Sequence, residues 1–514
     1  NEVSTDLNST NETAGDRRIY LEAMVDYNRT FGRHDVNAML LYNQDELVNN
    51  VPGNNLINSL PKRKQGLAGR LSYAYDGKYM AEVNMGYNGS ENFAKGHRWG
   101  FFPSIALGYN ISEESFFEPL RKVITSMKLR GSWGLVGNDQ IGGERFIYMP
   151  TINLSGKGFT TGIDQNYGLS GPVYTRYENN SITWEVGEKI NLGIDLQLLN
   201  SLNIVVDIFR ETRRDIFQKK GTIPTYLGTG NTDVFGNLAE MKNQGLDLSI
   251  DYNKAFSKDF YMNFKGTFTY AHNEITKYDE APKYAFQSKV GQSANVSQGY
   301  LSNGLFLDEA EIDRYNQQMG STLGAGDIKY LNVSNMHGYG DDIVDVDDWT
   351  WIGNPTVPEI VYGFGPSFKY KNWDFSFFFQ GVAKTSLFMS GFHPFGDNSL
   401  RNVLQFVAND RWSPTNQNVD AKYPRLTRKT SLNNTNPGNS GRTSDYWMRD
   451  GSFLKLKNME LGYTFKRMRF YISGSNLLTF SKFDLWDPEQ GGGSGLKYPT
   501  QRVFNVGFQM TFNN

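Results

Sequence analysis

The chain has 514 residues, no cysteine and five histidines, and 52 Lys and Arg balance 54 Asp and Glu to a formal charge of −2. This balance argues against a nucleic-acid binder that relies on a basic surface. The lack of cysteine excludes disulfide frameworks, thiolate zinc sites and a catalytic cysteine. Aromatic residues make up 14%, yet the mean hydropathy is −0.53 and no apolar run of about 18 residues predicts a transmembrane helix.

Apolar and polar residues alternate with a period of two along most of the chain, which predicts an all-β protein. In residues 78–88, Tyr79 and Val83 point to one face while Glu82 and Asn84 point to the other. Several such segments have nine or more residues, which is long enough to cross a bilayer. The predicted strands, in chain order, lie near 17–29, 34–45, 67–75, 78–88, 101–111, 125–135, 188–199, 202–211, 243–253, 259–271, 358–370, 373–385, 451–465, 468–480 and 501–512.

The connections between these strands fall into two length classes. Short turns such as Asp76-Gly77 and Lys466-Arg467 alternate with long polar segments. The long segments run over 46–66, 137–187, 213–242, 272–356, 386–450 and 481–500. Short turns on one side and long loops on the other predict a transmembrane antiparallel β-barrel with periplasmic turns and extracellular loops. Alternation alone is equally typical of a soluble β-sandwich.

The predicted strands number about 15, whereas bacterial single-chain barrels almost always have an even number. We therefore expect a barrel that is incomplete at its N-terminal side; the alternative is that one strand is miscounted. On this reading residues 1–16 are the remnant of an extracellular loop, and residues 17–514 are the C-terminal portion of the barrel.

The closing strand carries a recognisable order of residues. Asn505, Gly507, Met510 and Phe512 follow a polar, glycine, hydrophobic and aromatic order. This order resembles the terminal signal that the outer-membrane barrel assembly machinery recognises. An ordinary amphipathic edge strand is the alternative.

A series of short motifs runs through the chain. The motifs are Tyr75–Tyr79 (YDGKY), Asn88–Phe93 (NGSENF), Arg98–Ser104 (RWGFFPS), Gly326–Tyr330 (GDIKY), Ile352–Pro355 (IGNP), Gly451–Asn458 (GSFLKLKN), Tyr471–Leu477 (YISGSNL), Asp487–Glu489 (DPE) and Tyr498–Pro499 (YP). The series resembles the SusC-like TonB-dependent transporters of Bacteroidetes-type outer membranes. Each motif is weak alone, but they occur in the family's order from about residue 20 to the C-terminus. One departure is Asn88, where the family usually has Asp.

The resemblance implies an outer-membrane barrel of about 22 strands that imports a large nutrient, an oligosaccharide or a peptide. A SusD-like surface lipoprotein would close over the outer loops. The inner-membrane TonB-ExbB-ExbD complex would supply energy through an N-terminal plug domain, which does not precede Asn1 in this sequence. Lipid and the barrel assembly machinery are the other implied partners, and no nucleic acid is expected.

An acidic stretch over 341–348 is the candidate metal site. The family's comparable loop resembles a calcium loop, and carboxylates at alternate positions suit Ca²⁺. Asp341, Asp345 and Asp348 are the candidate ligands, although Asp342 replaces the glycine of the sharp turn. A solvated acidic loop without metal is the alternative, so no cofactor is firmly predicted.

Tryptophans in or near the long loops are candidate contacts for a substrate or partner, because aromatic faces stack on sugar rings and pack at interfaces. They are Trp349, Trp351, Trp412, Trp447 and Trp486. Girdles at the membrane interface use the same residue type.

No catalytic constellation is predicted, because no Gly-x-Ser-x-Gly elbow accompanies any of the histidines. The resemblance implies a transporter barrel, and no enzyme is expected. Two alternatives remain open: a passive porin or structural subunit of a larger outer-membrane complex, and a soluble all-β lectin or enzyme.

Overall fold

The computed structural model describes residues 15–51, 56–224, 232–315, 317–318, 323–392, 394–395, 402–428, 434 and 443–512. Its main element is a 15-stranded sheet in which every strand pairs antiparallel with the next one along the sheet. The strands are β1 (Asp16–Phe31), β2 (His34–Asn49), β3 (Lys62–Tyr75), β4 (Tyr79–Ser90), β5 (Trp99–Asn110), β6 (Ile124–Asn138), β7 (Glu185–Leu198), β8 (Leu202–Lys219), β9 (Phe235–Ala255), β10 (Phe260–Lys277), β11 (Ile360–Tyr370), β12 (Trp373–Ala383), β13 (Phe453–Phe465), β14 (Met468–Ser481) and β15 (Val503–Met510).

The predicted number and order of strands are confirmed. The tight turns explain why the chain reverses where it does. At the β3–β4 hairpin Asp76 and Gly77 have φ of 54° and 66°, which an Asp-Gly pair adopts readily. Most of residues 1–16 lie outside the described residues, and β1 begins at Asp16.

Several strands are longer than predicted. β8 runs to Lys219 and β9 begins at Phe235, although the sequence indicated strands over 202–211 and 243–253. The additional residues lie on the long-loop side, are mostly partly buried, and show no regular apolar alternation in sequence. A further hairpin, Thr151–Thr161 with Tyr167–Arg176, was not predicted because its Gly and Ser residues break the period of two.

Helices in the described residues are short and lie in the connections. The α-helices are Leu56–Ser59, Glu309–Arg314, Val333–Met336 and Gln405–Asn409. The 3-10 helices are Ile111–Glu113, Ser115–Leu120, Ala285–Gln287, Val346–Asp348, Asp445–Trp447 and Pro488–Gln490.

Across the part of the chain that the structure describes, no helix combines the length and the apolar character needed to cross a membrane.

Most buried apolar residues in the described part of the chain lie on the long-loop side of the sheet, in two clusters. A smaller cluster joins the ends of β5, β6 and β7 to the loops beside them: Phe93, Phe102, Ile141, Ile147, Ile182 and Trp184. A larger cluster lies in the loops beyond β10, β12 and β14: Tyr300, Leu305, Ile328, Tyr330, Val344, Leu387, Met389, Phe392, Phe395, Val407, Trp412, Ala421, Tyr423, Trp447 and Phe483.

Candidate functional site

The two faces of the sheet differ in the way that a membrane-spanning wall requires. On β7, Leu192 is 63% exposed on the apolar face, while Asn191 lies on the opposite, polar face. Exposing large hydrophobic side chains along a strand costs free energy in water but is favourable in lipid. The apolar face is therefore the lipid face, and the polar face lines the lumen.

Charged side chains on the lumen face are paired across neighbouring strands. Arg130 on β6 donates to Asp195 on β7 at 2.7 Å and to Asp207 on β8 at 3.0 Å. On the other half of the wall, Arg469 on β14 donates to Glu460 on β13 at 2.5 Å and also contacts Asp374. These networks keep ionised groups inside the barrel, where water reaches them, and away from lipid.

The candidate functional site is the loop cluster, defined as the described residues of segments 278–359, 384–452 and 482–502. Its aromatic core joins all three segments, with Tyr300 and Tyr330 in the first, Trp447 in the second and Phe483 in the third. The three loops thus form one packed body over the mouth of the barrel wall.

A buried ion pair fastens the first loop to the second. Asp327, in the motif Gly326–Tyr330, is fully buried and accepts hydrogen bonds from Arg425 at 2.5 and 2.9 Å and from the side-chain amide of Asn434 at 2.6 Å. The carboxylate raises the pKa of the Arg425 guanidinium above its usual value. An unpaired buried carboxylate is costly, so these contacts hold the two loops in one arrangement.

The third loop is fastened to the barrel wall by Lys455 on β13. Its ammonium is 1% exposed, contacts Asp487 and donates to Glu489 at 2.8 Å; Lys457 donates to Glu489 at 2.7 Å. The sequence motifs Gly451–Asn458 and Asp487–Glu489 are therefore parts of a single structural unit. Sequence reasoning recognised both motifs and missed the pairing, because the residues are about 30 positions apart and only opposite charge hinted at it.

The predicted tryptophans have different surroundings. Trp447 is 0% exposed and Trp412 is also buried, both within the aromatic core of the loop cluster. Described residues of the loop cluster cover both rings, and contact of Trp412 or Trp447 with a substrate or partner stays a prediction. Trp351 is partly buried and donates its indole N–H to the Ser288 carbonyl at 2.9 Å, whereas Trp349 lies partly exposed. Contact of Trp349 or Trp351 with a substrate stays a prediction.

Two of the acidic residues predicted to bind calcium instead cap the short helix Val346–Asp348. Asp345 accepts from the Asp347 N–H at 2.8 Å. Asp348 accepts from the backbone N–H of Asp345 at 2.8 Å and of Ser334 at 2.9 Å, and it is fully buried. Such a reciprocal capping arrangement satisfies the helix end without a metal ion.

The third candidate ligand, Asp341, also accepts hydrogen bonds from residues of its own loop. It accepts from the Asn332 side chain at 3.1 Å and from the Ile343 N–H at 3.2 Å. Burial raises the pKa of Asp348 despite its hydrogen bonds. Within the described ranges no three Asp, Glu, His or Cys residues form a group that could hold a metal ion. The acidic stretch therefore does not fit a calcium loop.

The residues of the predicted assembly signal lie on or just beyond β15. Asn505 pairs with Ser473 and Gly507 with Tyr471, and Phe512 follows the strand with its ring exposed. Gly507 leaves room for the Tyr471 ring: an added Cβ would lie 2.0 Å from Tyr471 Cζ. Recognition by the assembly machinery stays a prediction.

Relatives of known class match most of the chain. The TonB-dependent receptor SusC of Bacteroides thetaiotaomicron is 28% identical over 471 residues, covering 86% of this chain and 43% of the relative. The TonB-dependent receptor P3 of Formosa agariphila is 26% identical over 481 residues, covering 86% and 45% respectively. The chain thus spans about half the length of these relatives.

A solved structure has the same fold. The RagAB peptide transporter aligns with a TM-score of 0.69 at 20% identity, covering 97% of this chain and 56% of that one. In addition, the family model described as "TonB dependent receptor-like, beta-barrel" matches residues 1–477. The chain therefore belongs to the TonB-dependent receptor-like β-barrel family, whose members are receptors and transporters of the outer membrane and not enzymes.

Proposed function

We propose that the chain supplies barrel wall and outer loops to a TonB-dependent importer of a large nutrient, an oligosaccharide or a peptide. The observation that carries this proposal is the packed loop cluster, which has its own aromatic core and is fastened to the lumen face through Lys455. A passive porin needs an open mouth, whereas a receptor needs a structured surface that holds a ligand before transport.

A SusD-like surface lipoprotein is the proposed partner on the outer face. The hairpin formed by Thr151–Thr161 and Tyr167–Arg176 exposes large apolar side chains, with Leu154 77% and Phe159 72% exposed. An isolated two-stranded hairpin is marginal in water, and exposed apolar surface of this kind typically marks a protein interface. The match to SusC agrees with a partner of this class.

Energy coupling distinguishes the proposed importer from its alternatives. The test measures uptake of the native nutrient by cells that carry the complete transporter, with and without TonB. We expect uptake to stop without TonB, because the inner-membrane complex has to act on the plug. Uptake that persists without TonB would identify a passive porin, and no uptake in either strain would identify a structural subunit.

The partner proposal has a separate test. Leu154→Ser together with Phe159→Ser should reduce co-purification of the SusD-like lipoprotein, because apolar area leaves the proposed interface. Asp164→Ser, on the connection of the same hairpin, is the matched control and should leave co-purification unchanged. Equal recovery of the partner with both variants would contradict a role for the hairpin.

A further inference from the structure

Positive charge collects at the short-turn ends of six neighbouring strands. Strands β9 to β14 lie side by side in the sheet, and three short turns join them in pairs on the periplasmic side. The charged residues at these turns are Lys254, Lys258, Lys371, Lys466 and Arg467, against the single carboxylate of Asp259. These cations, the inner cationic patch, are in excess here although the whole chain has a formal charge of −2.

Other connections on the periplasmic side carry their own counter-charges. Arg33 forms an ion pair with Asp76 at 3.6 Å, and Lys78 forms one with Glu114 at 3.8 Å. The β7–β8 turn over 200–201 contains no charged residue. The excess of positive charge therefore belongs to one part of the periplasmic rim and is not a general property of its turns.

Each of the three turns places a lysine over an aromatic ring at the end of the lipid face. The distances from ammonium to ring centroid are 5.4 Å for Lys254 and Phe256, 5.5 Å for Lys371 and Tyr370, and 5.6 Å for Lys466 and Phe465. Each ring is about half exposed. Aromatic rings favour the boundary between hydrocarbon and headgroups, and a lysine stem beside them carries its charge to the headgroup level.

Two of these lysines adopt a backbone conformation that lysine rarely takes. Lys371 and Lys466 are the first residues of two-residue turns, with φ of 51° and 56°. Glycine and asparagine enter this left-handed region readily, whereas longer side chains do so at a cost in free energy. Turn geometry alone does not explain lysine at both positions, but a requirement for positive charge does.

We infer that the inner cationic patch binds anionic phospholipid in the periplasmic leaflet of the outer membrane. The ammonium groups contact the phosphodiester, and the rings beneath them contact the upper acyl chains. Two observations support this occupant: the patch continues the lipid face of the wall, and its charge is complementary to phosphate. The inference concerns the barrel wall and is independent of the proposed import function.

The test titrates the complete transporter, purified in a neutral detergent, with lipid and counts the bound molecules by native mass spectrometry. The probes are dioleoylphosphatidylglycerol and zwitterionic dioleoylphosphatidylcholine, which share the same acyl chains. We expect the unmodified protein to bind phosphatidylglycerol about tenfold more tightly. High salt should reduce this preference, because it screens exposed charges.

The variant that removes charge from the patch combines Lys254→Gln, Lys371→Asn and Lys466→Asn. It should bind phosphatidylglycerol about tenfold more weakly and phosphatidylcholine unchanged. Asparagine suits the left-handed turns, and heat-modifiable gel migration checks that the variant is folded. Arginine at the same three positions keeps the charge and should keep the preference.

The matched control combines Arg33→Gln, Lys78→Gln and Lys122→Gln, which remove the same charge from the same side of the wall. It should bind both lipids like the unmodified protein. Equal affinity of the unmodified protein for the two lipids, or an equal loss in both triple variants, would overturn the inference. Unchanged phosphatidylglycerol binding in the patch variant, together with loss of a co-purified acidic periplasmic protein, would overturn it in favour of a protein partner.

Discussion

Lys455 shows how one residue can connect the wall of the barrel to its outer surface. Its ammonium is almost completely removed from water and depends on Asp487 and Glu489 for its charge balance. Breaking a buried ion pair by removing one partner is strongly destabilising, because the remaining charges lose their compensation. The position of the third loop therefore depends on the protonation of two carboxylates.

Acidification should release this loop. Burial opposes ionisation of Asp487 and Glu489, but hydrogen bonds from lysine outweigh it, and the pKa of each carboxyl is lowered. A lowered folded-state pKa gives stability that is complete above the unfolded pKa of about 4 and is lost as pH falls through the folded value. Hydrogen-exchange protection of segment 487–493 should be constant at neutral pH and fall below about pH 4.

The control for this experiment is Lys455→Met. This variant lacks the Lys455 hydrogen bonds that help to lower the pKa values of Asp487 and Glu489. Its protection should be lower at neutral pH and should change less on acidification. An acid response of the same size in the variant and in the unmodified protein would show that other groups control the loop.

Trp447 is a second residue whose surroundings decide its role. Its ring contacts Phe392, Phe395 and Tyr446 at centroid distances of 6.1, 5.2 and 5.7 Å. A fully buried tryptophan at the centre of such a group stabilises the packing of the loops.

Trp447→Ala should therefore destabilise the loop cluster by about 3–5 kcal/mol, as expected for a large aromatic truncated inside a core. Limited proteolysis should show cleavage in segments 384–452 and 482–502 while the strands remain protected. Trp349→Ala, which removes a partly exposed ring, should change cleavage little. Equal cleavage of the two variants would contradict the difference in burial.

At the scale of elements, the β14–β15 pair depends on one glycine. Gly507 lies opposite Tyr471 in the register, and the tyrosine ring covers the space that a side chain at 507 would need. Arg469 also lies 4.9 Å from the centroid of the same ring. The last strand is therefore held by a side chain of its neighbour as well as by backbone hydrogen bonds.

Gly507→Val should displace the Tyr471 ring and lower the stability of the barrel by about 1–3 kcal/mol. The readout is the temperature at which the folded band is lost in heat-modifiable gel migration. Tyr471→Ala in the same chain makes room for the valine and should recover most of the loss. A failure of this second substitution to recover stability would show that another contact is responsible.

The elements also show where sequence reasoning succeeds. Strands such as β4 and β7 are predictable because alternation is a local pattern, and the Asp76-Gly77 turn is predictable because its φ values restrict residue type. The hairpin at Thr151–Thr161 has no such alternation. The burial of Trp447 and the pairing of Lys455 depend on segments that are far away in the sequence, so no local sequence pattern predicts them.

At the scale of the whole molecule, the sheet separates two solvents. Successive side chains along a strand face lipid and water alternately. The same substitution therefore affects the stability of the barrel differently at two adjacent positions. Leu192 and Asn191 lie side by side near the middle of β7 and belong to different faces.

Leu192→Arg should destabilise the barrel by about 2–4 kcal/mol, because it places a charge near the middle of the lipid face. Asn191→Arg places the same side chain in the lumen and should cost much less. Unfolding by urea in lipid vesicles measures both variants. A similar loss of stability for the two would contradict the assignment of the faces.

The loop cluster has a consequence for the order of assembly in time. Each strand pairs with the next one along the sheet, so the wall can form by successive additions of neighbouring hairpins. The aromatic core of the cluster instead combines Tyr300, Trp447 and Phe483, which follow β10, β12 and β14 respectively. It can form only after the wall has brought these strands together. The packed outer surface is therefore expected to form last, and its formation indicates that the wall is complete.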